Sequence, residues 1–212
     1  IERIFPVFSD RLKHRLIAGR DDMKSPVFTG ACTAIVTPFT DSGVDFDKMA
    51  ELIDFQYDNS TDALVVCGTT GESATLSTRE QRQIIKTAVR QAEGRVPIIA
   101  GAGSNCTRES VEMIEEILKI AEVPMLCVTG YYNNPSQEGI EKHFRTLSSE
   151  TGAKIIIYNV PGRTASYVHP DTLIALSEDK NIIGLKQAVD FRIGEKFHED
   201  TMRVIKETKG KD

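Results

Sequence analysis

ALVVCGTTGE (residues 63–72) joins an unbroken apolar run, Ala63 to Cys67, directly to two threonines, two glycines and a carboxylate. A continuous run rich in Val, without strict alternation, is the pattern of a parallel strand covered on both faces. The polar, glycine-bearing stretch that follows puts hydroxyls and backbone amides where the strand leaves the core.

The same pattern recurs along the chain. AIVTPF, ALVVCG, PIIAGAG, PMLCVTG, KIIIYNV and IIGLKQA begin at residues 34, 63, 97, 124, 154 and 182. Between them lie segments such as FDKMAELIDFQY, TREQRQIIKTAVRQA and TRESVEMIEEILKIA, with apolar residues at three- and four-residue steps, as in amphipathic helices. Ser77 with Glu80 three residues on has the spacing of a capping box, and Pro170 after His169 suits a first helical position. Six strand–loop–helix units make this an α/β protein.

A doubly wound sheet and a (β/α) barrel both fit such a repeat. The even spacing, and the polar or glycine residues that end almost every strand, favour a (β/α)8 TIM barrel, which gathers its active site from several strand ends. No GxGxxG opens a helix. A full barrel takes eight strands in about 250 residues. After the sixth run only FRIGEKFHEDTMRVIKETKGKD remains, which reads as a polar helix with a charged end. The expected organisation is therefore a barrel over residues 23–212, truncated after about six strands. Residues 1–22 read as an N-terminal extension of unclear role, because MKSPVFTG from Met23 makes a natural beginning.

Composition narrows the function. The chain has 212 residues, 40% hydrophobic and 27% charged, and a formal charge of −5, enough for one domain with a sizeable core. It shows no basic stripe and no Lys/Arg block interleaved with aromatics, so nucleic acid is not expected as a partner. No apolar run approaches the 18 or so residues of a membrane span, and the first segment lacks a secretory pattern, so the expected location is cytoplasmic. Cys32, Cys67, Cys106 and Cys127 are spread singly, as small buried hydrophobes in a reducing compartment would be. His14, His143, His169 and His198 are equally scattered, and no metal site is expected.

Several strand-end residues suit chemistry. Lys186 closes IIGLK, where desolvation among Ile, Gly and Leu disfavours the ammonium and favours an amine able to attack a carbonyl. A lysine reaching out to water or paired at the barrel mouth is the bland alternative. Tyr158, at the end of the neighbouring run, has a phenol suited to proton shuttling, or is a core aromatic with a satisfied hydroxyl. Arg163, in the Asn159–Arg163 loop, offers a fork for a carboxylate or is a plain surface charge. Gly68 and Gly71 permit a tight turn that would aim Thr69, Thr70 and backbone amides into the mouth as a cradle for a carboxylate or carbonyl oxygen. Glu72 could instead cap the following helix or hold the loop. Tyr131 and Tyr132 suit either an interface or local loop packing.

In order and spacing, FTGACTAIVTPF, GTTGESATL, AGAGSN, YYNNPSQEG, YNVPGRT and GLKQA resemble the dihydrodipicolinate synthase family, within the N-acetylneuraminate lyase superfamily of class I aldolases. The resemblance covers about residues 27–190. It implies a (β/α)8 barrel that works as a homo-oligomer, a dimer or typically a homotetramer. Such an enzyme condenses pyruvate with L-aspartate 4-semialdehyde to 4-hydroxy-tetrahydrodipicolinate, on the route to diaminopimelate and lysine, without metal or organic cofactor. By position, the resemblance makes Lys186 the Schiff-base lysine and Tyr158 the general acid/base. It makes Thr69 the link from Tyr158 to a tyrosine reaching across the dimer interface, which Tyr132 matches. Thr70, with Gly68 beside it, matches the pyruvate-carboxylate site, and Arg163 the residue receiving the semialdehyde carboxylate. Arg163 within YNVPGRT also favours the synthase over the sialate-lyase branch.

The family's lysine-inhibition site has matches at Ser73, Ala74, Asn105, Glu109 and Tyr131. Thr78 and Gln81 stand where lysine-sensitive bacterial members carry histidines, so feedback inhibition is not expected. Gly130 stands where members usually have proline, and Glu122-Val123-Pro124 departs from the usual turn; both are expected to loosen the loop carrying Tyr132. Past Ala188 the resemblance is expected to fade. Two other readings accompany the synthase: an inactive truncated barrel serving as an assembly partner, and a pyruvate-dependent sugar-acid lyase or aldolase.

Overall fold

In the computed structural model, residues 26–189 and 195–209 are described; the segment 1–22 lies outside the described residues. Strand β1 (Cys32–Ala34) leads through a short hairpin, β2 (Phe39–Thr40) and β3 (Gly43–Val44), into helix α1 (Phe46–Asp58). Then follow β4 (Ala63–Val66), α2 (Thr78–Ala92), β5 (Ile98–Gly101), α3 (Thr107–Leu118), β6 (Met125–Val128) and α4 (Gln137–Thr151). The chain continues through β7 (Ile155–Asn159), two short helices α5 (Pro161–Thr164) and α6 (Pro170–Leu176), β8 (Ile182–Gln187) and α7 (Glu195–Thr208).

The main sheet has the order β1-β4-β5-β6-β7-β8, and every pair in it is parallel. Each strand joins the same growing edge, so the reversal that defines a doubly wound sheet is missing. The longer helices pack on one another in the same order, α1 on α2, α2 on α3, α3 on α4, α4 on α6 and α6 on α7. This is the winding of a (β/α) barrel, six strands of it, as the repeat predicts. Among the described residues β1 and β8 are the two sheet edges. The first strand lies earlier than the run AIVTPF suggests: Ile35 still donates to the Val65 carbonyl at 3.1 Å, but Pro38 has no amide for the ladder and the chain turns into the β2–β3 hairpin.

The continuous apolar runs are explained by two cores. Leu64, Val66, Ile98, Met125, Cys127 and Ile157 face the helices and pack with Ile53, Ile84, Ile114 and Phe144. Ala63, Val65, Ile99, Leu126, Ile156 and Tyr158 face the barrel interior. Period-2 alternation is present, but both faces are buried, so both parities are apolar. The Ser77–Glu80 capping box forms in full, which stabilises the start of α2 by about 1 kcal/mol. Pro170 takes the first turn of α6. Cys67 and Cys127 are buried free thiols whose ionisation burial pushes up to about 12, in keeping with a packing role.

The tail forms α7, as its pattern predicts. Gln187 Nε2 donates to Thr201 Oγ1 at 3.1 Å, the Tyr167 hydroxyl to Asp200 Oδ2 at 3.1 Å, and Arg203 pairs with Asp171 at 2.6 Å. One close approach shapes the mouth: a Cβ on Gly101 would lie 2.0 Å from the Cys67 carbonyl oxygen. Only glycine lets the turn after β4 sit against the end of β5.

Gly101→Ala is expected to lower stability by about 1–3 kcal/mol, read as a reduced urea midpoint. A second expectation concerns His143, which is buried on α4 with Nδ1 2.8 Å from Thr107 Oγ1 and is held below its ordinary value chiefly by desolvation. Its unfolded value is near 6.5, so as pH falls the unfolded chain takes up the proton first. Stability present in full above that value is lost as pH drops through it, and the loss levels off below the folded value. His143→Gln should flatten this slope between urea midpoints measured at about pH 7.5 and about pH 5.5.

Candidate active site

Alternation counted from Ile182, which faces the helices, would turn Lys186 the same way. The structure breaks the count. Ile155 pairs with Ile182 but Ile156 pairs with Gly184, leaving Ile183 as the extra residue of a bulge. Ile182 and Leu185 both join the helix-side core, whereas Ile183 packs on the interior cluster. Tyr158 and Lys186 thereby become direct neighbours across the β7–β8 pair, on the interior side.

Lys186 is 4% exposed and Tyr158 6%, and the Lys186 Nζ stands 4.5 Å from the centre of the Tyr158 ring. Attraction of an ammonium to a ring at this distance contributes about 0.5–2 kcal/mol.

The next residues on the two strands hold the pair in place from the other side. The buried Asn159 Nδ2 donates to Gln187 Oε1 at 2.8 Å and to the Val168 carbonyl at 3.3 Å, while its Oδ1 accepts from the Val168 amide at 3.1 Å. Gln187 continues to Thr201 on α7. Neither Asn159 nor Gln187 stood out in the sequence as a fixing element. The only signal was amides ending two adjacent apolar strands, where a buried amide must find partners.

The GTTGE turn begins at Cys67, buried and left-handed at φ 52°. The Glu72 amide closes onto the Thr69 carbonyl at 3.1 Å, and the buried Thr37 hydroxyl donates to the Gly71 carbonyl at 2.7 Å. Thr69 and Thr70 are exposed on this turn. Glu72 itself adopts φ 57° and its side chain makes no cap hydrogen bond, so the capping reading does not hold; the bend is set by its backbone. Thr69 makes no hydrogen bond to Tyr158.

Arg163 sits on α5 rather than in a loop, exposed and with no ion pair among the described residues. Tyr132 is 94% exposed at φ 72°, and Tyr131 is 39% exposed. Asn105 Nδ2 donates to the Tyr131 carbonyl at 3.2 Å, and Asn133 Nδ2 to the Asn105 carbonyl at 2.9 Å, so the loop expected to be loose is tied to the segment between β5 and α3. Glu109 accepts from Ser104 Oγ at 2.9 Å. Ser73 and Ala74 lie in a 3₁₀ turn that Gln81 secures through the Ser73 carbonyl at 2.8 Å, and no hydrogen bond joins this turn to Asn105, Glu109 or Tyr131. Among the described residues no three His, Cys, Asp or Glu side chains stand together as a metal site, and no helix is long and apolar enough to cross a membrane.

Fold and site together define a (β/α)-barrel protein with a buried lysine near the end of its sixth parallel strand. Within that class the chain belongs to the dihydrodipicolinate synthetase family, whose family model matches residues 27–209. The match runs through α7, so the resemblance does not fade after Ala188; the acidic and basic surface of that helix hides a conventional packing role. The 4-hydroxy-tetrahydrodipicolinate synthase of Trichlorobacter lovleyi is 47% identical over 162 residues, 76% of this chain and 56% of the relative. The crystal structure of dihydrodipicolinate synthase from Aquifex aeolicus superposes with a TM-score of 0.79 at 39% identity, over 85% of this chain and 60% of that one. A monomeric dihydrodipicolinate synthase variant superposes with a TM-score of 0.78 at 35% identity, covering 86% and 59%. The chain thus spans rather more than half the length of the relatives it matches.

Inserting one alanine between Leu185 and Lys186 should turn the amine to the helix side. Borohydride trapping with pyruvate, read by intact mass, is expected to lose any adduct at Lys186 in this variant while its circular dichroism spectrum stays that of the parent.

Proposed function

We propose that the site around Lys186 forms a Schiff base with pyruvate and serves the synthase reaction of the family, condensation with L-aspartate 4-semialdehyde. The observation that carries this reading is the buried amine set 4.5 Å from the Tyr158 ring on adjacent strands. In this reading the Lys186 amine adds to the pyruvate C2 carbonyl. The resulting carbinolamine then loses its hydroxyl as water to give the imine, with Tyr158 giving and receiving the protons. Loss of a C3 proton gives the enamine that bonds to the aldehyde carbon of the semialdehyde. No step calls on a cofactor.

The GTTGE turn receives the pyruvate carboxylate at Thr70, beside the Gly68 backbone, and Arg163 receives the carboxylate of the second substrate. Thr69 takes the place between Tyr158 and a tyrosine of a second subunit, where relaying a proton requires its hydroxyl to turn into a hydrogen bond with Tyr158 that this structure does not show. The 94% exposure of Tyr132 supports its acting in the partner's site rather than in its own. The protein is accordingly a homo-oligomer in this reading, acting in the cytoplasm in lysine and diaminopimelate biosynthesis.

Incubation with pyruvate and borohydride should give a single adduct mapped to Lys186 and absent in Lys186→Ala. Tyr158→Phe is expected to slow adduct formation by about 10²–10⁴-fold. A folded sample with no adduct would sink the enzyme reading. If an adduct forms and condensation with the semialdehyde is indifferent to Arg163→Ala, a sugar-acid lyase or aldolase becomes the better assignment.

A further inference from the structure

Helix α2 carries Arg79, Arg82, Lys86 and Arg90 at steps of three and four residues, so four cations share one face along roughly 16 Å of helix axis. The sequence shows no basic stripe because polar and apolar residues separate these side chains; helical geometry gathers them. Together with Lys119 at the end of α3 they line a groove of about 540 Å³. It lies on the helix layer, whereas Lys186 faces the barrel interior.

No acidic residue lines this groove. Glu116 touches its wall, 2.9 Å from Arg82 and 2.5 Å from Lys119. The Lys119 hydrogen bond, then the charges of Arg82 and Lys119, hold the Glu116 carboxyl below the usual range, so it stays ionised and offsets one cation of the five. Arg79, Lys86 and Arg90 form no ion pair among the described residues. Such a concentration in a chain of net charge −5 does not follow from composition.

We propose that this groove binds an oligophosphate, a short chain of phosphoryl groups that is either inorganic or carried by a nucleoside. Guanidinium forks match phosphate oxygens in pairs, and a linear row of cations suits an extended polyanion better than a single carboxylate. The volume falls within the range of small-molecule sites, and Val89 and Ile120 supply a short apolar wall. The groove holds no aromatic side chain, which disfavours a protein interface and the stacking of single-stranded bases.

Calorimetric titration of the protein with tripolyphosphate, and separately with ATP, at fixed ionic strength tests this. Saturable one-to-one binding that weakens as KCl rises is expected. Arg79→Gln/Lys86→Gln/Arg90→Gln should weaken it by about tenfold or more, with the thermal midpoint and the pyruvate adduct at Lys186 unchanged. Should the triple variant lose its fold, Lys86→Gln alone should still weaken binding measurably. Tighter binding of ATP than of tripolyphosphate assigns Val89 and Ile120 to the nucleoside; equal binding assigns the phosphate chain alone. Absence of saturation, unchanged affinity in a folded variant, equal displacement by sulfate, or binding confined to a single-stranded oligonucleotide would each overturn the proposal.

Discussion

Everything at the barrel mouth depends on a sheet buried on both faces, where each strand must decide residue by residue which side it presents. In such a sheet a shift of one position exchanges the two cores. The extra residue at Ile183 makes that exchange once, early in β8, and leaves the hydrophobic demands of both faces met: Ile182 and Leu185 stay with the helices while Ile183 fills the interior. A lysine is thereby delivered to the one side where its amine meets a phenol. The Asn159–Gln187 amide pair then closes over the opposite side and joins both strands to α7 and to the segment at Val168.

The turns at the mouth are arranged by a second constraint, the space left by absent side chains. The Cys67 turn can enter only because Gly101 presents no Cβ, and the left-handed Cys67 in turn sends Thr69 and Thr70 outward. Hydroxyls at the tip of such a turn are held by its backbone rather than by their own bonds, which leaves them available to a ligand. Thr37 reinforces the arrangement from β1's side through the Gly71 carbonyl.

The class of fold was legible because six apolar runs of similar spacing leave few options, and the structure needed only to show that strand order follows chain order. The start of β1 was misplaced because Ile35 and Val36 are as apolar as strand residues while Pro38 turns the chain away. That Lys186 ends a strand could be read; the face it presents could not, since a bulge in Ile-Ile-Gly leaves no mark when both faces accept isoleucine. Asn159 and Gln187 went unnoticed because their role exists only once two strands lie side by side. The tail was readable as a helix, yet its charged surface concealed how firmly Tyr167, Gln187 and Asp171 engage it.

Among the described residues β8 is an edge of the sheet, and Lys186 is therefore an edge residue as well as a buried one. Its amine has the Tyr158 ring on the β7 side, and the other side of its strand is the edge of the sheet. Under the proposed Schiff-base role, the reactivity of this single amine would work as an internal gauge of closure, with the rate of borohydride capture reporting, at one atom, how completely the interior is sealed from water. A change far along the edge, too small to alter secondary structure, would register there first.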